Sequence, residues 1–204
     1  MLATLTATVT AQAMEAFLAS TLLVTLAEIG DKTQLLAIVL AARFGRPLPI
    51  IAGIAAATLA NHALAAWVGT LAAGWLDGQG FRLALAAGFI AMAAWTLVPD
   101  KLDEDEAPAV GARGAFLTTL VAFFIVEMGD KTQIATVALG AQYQQLFWVT
   151  AGTTLGMLIA NVPAVLLGQA LVKRIPLATV RRVAAGLFLL TGLWFGADAV
   201  GWLP

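Results

Sequence analysis

The sequence contains no cysteine and very little charge. Only 11% of its 204 residues are charged, against about 25% in a typical soluble domain. Without cysteine the chain forms no disulfide, has no thiolate metal ligand and uses no cysteine nucleophile. One histidine is too few for the histidine-rich zinc sites of most metal hydrolases, which disfavours an enzyme. The formal net charge of −1 and the lack of a basic run predict no nucleic-acid partner.

Apolar residues are abundant instead, at 61% of the chain with a mean hydropathy of +0.91. A membrane-crossing helix needs about 20 mostly apolar residues. Long two-residue alternation is missing, which leaves helices as the way to satisfy the backbone in lipid. We therefore predict an all-α polytopic membrane protein with six transmembrane helices, at residues 14–42, 48–71, 81–98, 114–140, 147–172 and 177–198.

The distribution of lysine and arginine predicts the orientation of these spans. Eight of the 11 basic residues lie on the side that holds the loops after spans 1, 3 and 5, whereas only Arg82 lies on the other side. The positive-inside rule makes the first side cytoplasmic, including an acidic linker at 99–112, and both termini periplasmic. A signal peptide normally begins with a positively charged region, and residues 1–13 have no basic residue. We therefore predict a short tail there, with Met14 as an alternative start.

The chain repeats itself at an offset of 99 residues. The segment "LAEIGDKTQ" at 26–34 returns as "IVEMGDKTQ" at 125–133, and Trp95 coincides with Trp194. The spread of such matches predicts a duplication, with repeat 1 at 14–98 and repeat 2 at 113–204. Each repeat has three spans, an odd number, so the second enters the membrane inverted. Inverted repeats are typical of secondary transporters, whose substrate site lies between the repeats near the bilayer midplane.

The repeated segment places charges inside apolar spans. On one continuous helix, Glu28 and Asp31 share a face, as do Glu127 and Asp130. An ionised side chain there costs at least about 2.5–3.5 kcal/mol, so it needs a partner. Four acids against Lys32 and Lys131 leave two negative charges, which one divalent cation or two protons would neutralise.

The side chains of the motif supply oxygen ligands, which Ca²⁺, Mg²⁺ and Mn²⁺ prefer. Gly30 and Gly129 allow either close helix packing or a local break. Lys32 and Lys131 would balance charge. The alternative is structural: each Glu pairs with the Lys four residues on and merely pins helices together. The predicted metal ligands are Glu28, Asp31, Glu127, Asp130, Thr33, Thr132, Gln34, Gln133 and Asn161.

Asn161 and His62 occupy equivalent positions in spans 5 and 2. Asn161 is either a further ligand or an interhelical hydrogen-bonding residue. His62 titrates near neutrality and could couple protons to transport, although a lone helical histidine is more often a packing residue. The sequence alone leaves both pairs of alternatives open.

The doubled motif resembles that of the Gdt-type calcium/manganese–proton exchangers, which carry two E-x-G-D-[KR]-[ST] motifs in the first and fourth of six spans. Both copies fit this pattern throughout. The resemblance implies antiport of Mn²⁺ or Ca²⁺ against protons, with the motif acids as ligands. Compact bacterial relatives imply manganese export across the inner membrane, and the lack of an organellar targeting sequence favours that setting.

We therefore expect a secondary antiporter whose partners are a divalent cation, protons and the lipid bilayer. No cofactor is expected, because the metal is cargo. The alternatives are a Na⁺-coupled or passive divalent-cation transporter and a membrane assembly protein without transport activity. The sequence leaves homodimerisation open.

Overall fold

The computed structural model describes residues 2–75, 78–99, 114–168 and 176–202. These residues form eight helices and no strand, which confirms the all-α prediction. The helices are α1 (Leu2–Glu28), α2 (Lys32–Phe44), α3 (Pro47–Trp75), α4 (Gln79–Thr96), α5 (Gly114–Glu127), α6 (Lys131–Tyr143), α7 (Leu146–Leu167) and α8 (Leu177–Ala199).

Four segments are long and apolar enough to cross a membrane: Thr10–Glu28, Pro47–Trp75, Leu146–Leu167 and Leu177–Ala199. Helix α5 is apolar but shorter, at 14 residues. The outward surface carries many large apolar side chains, such as Trp67 and Leu190, which are 50% and 63% exposed. A surface of this kind suits contact with lipid acyl chains, as in an integral membrane protein.

Two of the predicted spans are not continuous helices. The span predicted at 14–42 breaks between α1 and α2, and that at 114–140 breaks between α5 and α6. The breaks fall at Gly30 and Gly129, whose φ angles are 85° and 80°. Such left-handed backbone ends an α-helix, and glycine adopts it without a Cβ penalty. The prediction that the acids of each motif share one continuous helical face was therefore wrong.

The tail predicted at 1–13 is part of a helix instead, since α1 begins at Leu2 and continues without a break to Glu28. Residues 2–13 contain neither glycine nor proline, so nothing in their sequence ends the helix before Met14. The acidic linker predicted at 99–112 lies outside the described residues, apart from Pro99.

Each half of the chain packs its first helix against the other half. Helix α1 packs along α7, and α5 packs along α3. A Cβ built on Gly152 would lie 2.5 Å from the Phe17 carbonyl oxygen, and one built on Gly53 would lie 2.8 Å from that of Phe116. Glycine therefore allows both helix pairs to approach closely, at positions that are equivalent under the 99-residue offset.

The packing of α2 and α6 is not equivalent. A Cβ on Gly69 of α3 would overlap the Val137 carbonyl oxygen of α6, and one on Gly140 would lie 2.5 Å from that of Ala66. At the equivalent positions between α2 and α7 lies an open crevice of about 360 Å³. Its lining comprises Ile38, Ala41, Ala42, Val165, Leu166, Leu167 and Gly168. The helix bundle is thus closed between α3 and α6 and open between α2 and α7.

Candidate cation-binding site

The two breaks place an aspartate at the start of a short helix. Asp31 is the N-cap residue of α2 and Asp130 that of α6, both with extended backbone. Neither side chain makes a capping hydrogen bond to the described residues. The positive end of the helix dipole favours a carboxylate at this position. The breaks therefore place both carboxylates where the helix dipole stabilises negative charge.

A glutamine braces each break from the inside. The Gly30 N–H donates to Gln34 Oε1 at 3.0 Å, and the Gly129 N–H donates to Gln133 Oε1 at 2.6 Å. The amide of Gln34 donates in turn to the Ala160 carbonyl on α7 at 3.0 Å, while that of Gln133 donates to Asn61 Oδ1 on α3. Both predicted glutamines thus hold the broken segments against the opposite half.

The two glutamates are buried completely but held differently. Asn161 Nδ2 on α7 donates to Glu28 Oε1 at 3.2 Å, so the other half of the chain holds this carboxylate. Thr132 Oγ1 donates to Glu127 Oε2 at 2.9 Å from within the same motif. Thr33, the equivalent of Thr132, is buried with no hydrogen-bond partner for its hydroxyl in the described ranges.

A buried ion pair connects the two motifs. Lys131 Nζ lies 2.6 Å from Asp31 Oδ1, and both side chains are at most 2% exposed. Lys32 interacts electrostatically with Glu127 and Asp130 of the opposite motif. Lysines from each half thus act on acids of the other, whereas the structural alternative had paired each lysine within its own motif.

The four acids form one electrostatic cluster. Glu28 interacts with Asp31, Glu127 and Asp130. Each acid keeps at least one buried oxygen without a hydrogen-bond partner among the described residues, and these include Glu28 Oε2, Asp31 Oδ2, Glu127 Oε1 and Asp130 Oδ2. Buried carboxylate oxygens without partners are costly, and a cation or a proton relieves that cost.

The four acids do not converge on one ligand position in this structure. In the part of the chain that the structure describes, no three or more acidic or histidine side chains converge closely enough to hold a metal ion. The Lys131 ammonium lies against Asp31 in this arrangement. A cation bound by all four acids therefore requires their side chains to draw together.

His62 is fully buried on α3, and neither ring nitrogen has a hydrogen-bond partner within the described residues. Thr58 lies one turn earlier and is also buried, and its hydroxyl likewise has no hydrogen-bond partner among the described residues. The described residues therefore supply no hydrogen bond to the ring, and both interpretations of His62 stay open. Its role in proton coupling stays a prediction.

Two site residues were missed by the sequence analysis. Asn61 accepts from Gln133 and donates to the Phe124 carbonyl at 3.3 Å. Met157 is fully buried, and its Sδ accepts from Asn161 Nδ2 at 3.0 Å. Asn61 is equivalent to Ala160, so the repeat gave no signal for it. Met157 lies one turn before Asn161, and that spacing was the available signal.

Interrupted apolar helices that enclose a cluster of buried carboxylates define a class, the integral membrane transporters of cations. The family model described as "Divalent cation/proton antiporter GDT1" matches residues 16–104 and 115–202. The chain belongs to this family, so it is a cation/proton antiporter and not an enzyme. The two matches begin 99 residues apart, which is the offset of the internal repeat.

Curated relatives agree with this family. The chain is 56% identical over 171 residues to a Vibrio cholerae protein named "Putative manganese exporter", covering 83% of this chain and 84% of that protein. It is 30% identical over 195 residues to a GDT1-like protein of Synechocystis, covering 87% and 94%. It is 28% identical over 200 residues to GDT1-like protein 4 of Oryza sativa, covering 86% and 70%. No solved structure matches the chain.

Proposed function

We propose that the chain exports a divalent cation, Mn²⁺ before Ca²⁺, in exchange for protons. The observation that carries the proposal is the cluster of four buried acids, each with an oxygen that lacks a partner among the described residues. The all-oxygen set suits hard divalent cations. The name of the Vibrio relative supports Mn²⁺ as the cargo and export as the direction.

The charges of the cluster explain how one site serves both ions. Four acids against two lysines leave a charge of minus two, equal to one divalent cation or two protons. When the metal leaves, protonation of the acids restores neutrality in a medium where an uncompensated charge is costly. Metal and protons therefore compete for the same oxygens, which is the basis of exchange.

The predicted ligands divide into two roles. Glu28, Asp31, Glu127 and Asp130 bind the cation and carry the protons. Thr33 and Asn161 each have a buried oxygen without a partner among the described residues, so they add ligands. Thr132, Gln34 and Gln133 hold the acids in place, and Lys32 and Lys131 balance their charge. His62 is the candidate for proton coupling.

We further propose six spans in two inverted repeats, with each broken pair of helices serving as one span. The packing of α1 on α7 and of α5 on α3 supports this arrangement, because it exchanges first helices between the repeats. The crevice begins one turn from the site, since Ile38 follows Gln34 and Val165 follows Asn161 by four residues. It would be the open pathway, with the α3–α6 contact as the closed one.

The positive-inside rule assigns this pathway to the cytoplasmic side, because Arg43 lies in the last turn of α2 and Arg46 follows that helix. The proposed location is a bacterial inner membrane with periplasmic termini. Nothing in the described part of the chain supports the homodimer that the sequence left open, and the proposal concerns a single chain.

The test measures Mn²⁺ uptake and proton efflux together in proteoliposomes, with an imposed pH gradient of either sign. The proposal expects uptake that follows the gradient, and loss of both fluxes in Glu28→Gln and Asp130→Asn. Leu59→Ala, at a position 52% exposed on the outer surface, is the control and should keep both fluxes.

Each alternative gives its own result in this assay. Uptake that ignores the pH gradient indicates a passive transporter, and uptake driven by Na⁺ indicates sodium coupling. A folded wild-type protein that binds and moves no metal would indicate an assembly protein. Wild-type fluxes in both acid variants would contradict the assigned site.

A further inference from the structure

The sulfur atom of Met157 lies at the edge of the acid cluster. Asn161 Nδ2 donates to Glu28 Oε1 at 3.2 Å, to Met157 Sδ at 3.0 Å and to the Met157 carbonyl at 3.1 Å. One amide nitrogen thus connects a thioether with a carboxylate proposed to bind the cation. Met157, Asn161 and Glu28 are all 0% exposed.

The contact holds the sulfur only weakly. An amide nitrogen has two hydrogens, whereas three acceptors surround that of Asn161. The carboxylate and the carbonyl are the stronger acceptors, and a thioether is a weak one. Methionine also has three rotatable side-chain bonds, so its sulfur can move toward a cation without a shift of α7.

Among the described site residues, only one half carries a buried sulfur. Met128 Sδ lies 4.0 Å from Gln133 Nε2 in the other half, but the Met128 side chain is 56% exposed. The residue equivalent to Met157 is Thr58, and the residue equivalent to Asn161 is His62. Thr58 is also fully buried, and its hydroxyl has no hydrogen-bond partner among the described residues. A buried thioether in one half-site therefore takes the place that a buried hydroxyl has in the other.

We propose that Met157 is a specificity-determining residue that favours softer divalent cations over Ca²⁺ and Mg²⁺. The inference rests on the proposed function, because it assumes that Glu28 binds the cargo. A thioether gives little to a hard cation, which loses water to approach it, but it binds the softer transition metals. Mn²⁺ accepts oxygen ligands as Ca²⁺ and Mg²⁺ do, but as a transition metal it is the softest of the three, so a thioether beside Glu28 would favour it over the other two.

Competition between metals tests the inference. Cd²⁺ and Ca²⁺ have the same charge and nearly the same radius, so their comparison isolates softness from size. In proteoliposomes that take up Mn²⁺, we expect Cd²⁺ to compete more strongly than Ca²⁺. Met157→Leu should reduce this preference by about tenfold, since it removes the sulfur and keeps the volume. Met92 is a buried residue of α4 that packs in the hydrophobic core. Met92→Leu is therefore the control and should keep the preference.

A spectroscopic measurement covers the case in which Met157→Leu fails to fold. The ¹¹³Cd NMR signal of the metal bound to the wild-type protein should lie downfield of the range for all-oxygen ligands. A signal within that range, or an unchanged Cd²⁺ preference in folded Met157→Leu, would overturn the inference. Failure of the proposed function gives a different result, because wild-type protein would then show no proton-coupled flux of any cation.

Discussion

The Lys131–Asp31 ion pair explains how a strongly acidic cluster persists inside an apolar protein. Its 2.6 Å separation and complete burial place it where charges interact most strongly and where an unpaired charge is most costly. The pair also joins the two halves of the chain, so it contributes to their relative position. A buried pair of this kind is better judged by the loss of one partner than by its presence.

Removing one member should therefore destabilise the protein strongly. Asp31→Asn takes away the carboxylate that Lys131 contacts, and we expect a loss of about 3–5 kcal/mol in the free energy of unfolding. In the double variant Asp31→Asn/Lys131→Met most of that stability should return, because both charges are gone. Transport should stay absent, since Asp31 is a proposed ligand.

Unfolding in detergent, followed as a double-mutant cycle, measures both effects. The exposed pair of Arg82 and Asp198, 3.8 Å apart with side chains 59% and 49% exposed, is the control. Arg82→Gln should cost less than about 1 kcal/mol. Equal losses from the buried and the exposed pair would refute the structural role of Lys131.

The chemistry of the site could be predicted from the sequence, but its pairing could not. Glu28 and Asp130 stand out because ionisable groups are rare in apolar spans, and that signal is local. The partner of Lys131 depends on which helices meet, and no local pattern encodes that contact. Met157 was overlooked for a similar reason, since a methionine in an apolar helix is indistinguishable from a core residue until its neighbours are known.

The helix breaks, like the ion pair, could be predicted only in part from local sequence. The length of the apolar stretches predicted spans at 14–42 and 114–140, and a glycine within each allowed either continuity or interruption. What decides between them is tertiary: Gln34 and Gln133 secure the turns from inside and then bond to α7 and α3. The bonds from the Gly30 and Gly129 N–H groups to these glutamines replace helical bonds lost at the breaks. The bonds to α7 and α3 exist only once the two halves have packed.

The left-handed backbone at the second break gives a direct test of its importance. Gly129 has φ of 80°, and a Cβ there would meet no described atom within 4 Å. Gly129→Ala therefore adds backbone strain without a steric clash. We expect a loss of about 1–2 kcal/mol in unfolding free energy. Exchange should also fall, because Asp130 and α6 would shift relative to Glu127 at the end of α5.

Gly88→Ala is the matched control, since Gly88 lies within α4 with equally open surroundings and helical backbone. That variant should be neutral or more stable by up to about 1 kcal/mol. Thermal unfolding and proteoliposome exchange of both variants make the comparison. If Gly129→Ala behaves like Gly88→Ala, the break is not required and the continuous helix predicted from the sequence would be sufficient.

The two halves of the chain share a sequence pattern but not a state. Gly69 and Gly140 allow close backbone contact between α3 and α6. The equivalent residues between α7 and α2, Gly168 and Ala41, line a crevice instead. A repeat whose halves can exchange these two arrangements has the two states that alternating access requires. In the second state, Ala41 would approach α7 as Gly140 approaches α3 here.

A large side chain at Ala41 should therefore hold the protein in the state described. The crevice of about 360 Å³ can accept the ring of Ala41→Trp, whereas close contact between α2 and α7 cannot. We expect this variant to fold and to bind Mn²⁺ with wild-type affinity, since Ala41 lies two turns beyond Gln34. Exchange should fall at least about tenfold, because the return step is blocked.

Leu190→Trp, at a position 63% exposed on the surface of α8, is the control and should exchange normally. Binding is measured by Mn²⁺ electron paramagnetic resonance and exchange in proteoliposomes. Wild-type exchange in Ala41→Trp would show that the crevice does not close during transport, whereas loss of both binding and exchange would show that the substitution damages the site itself.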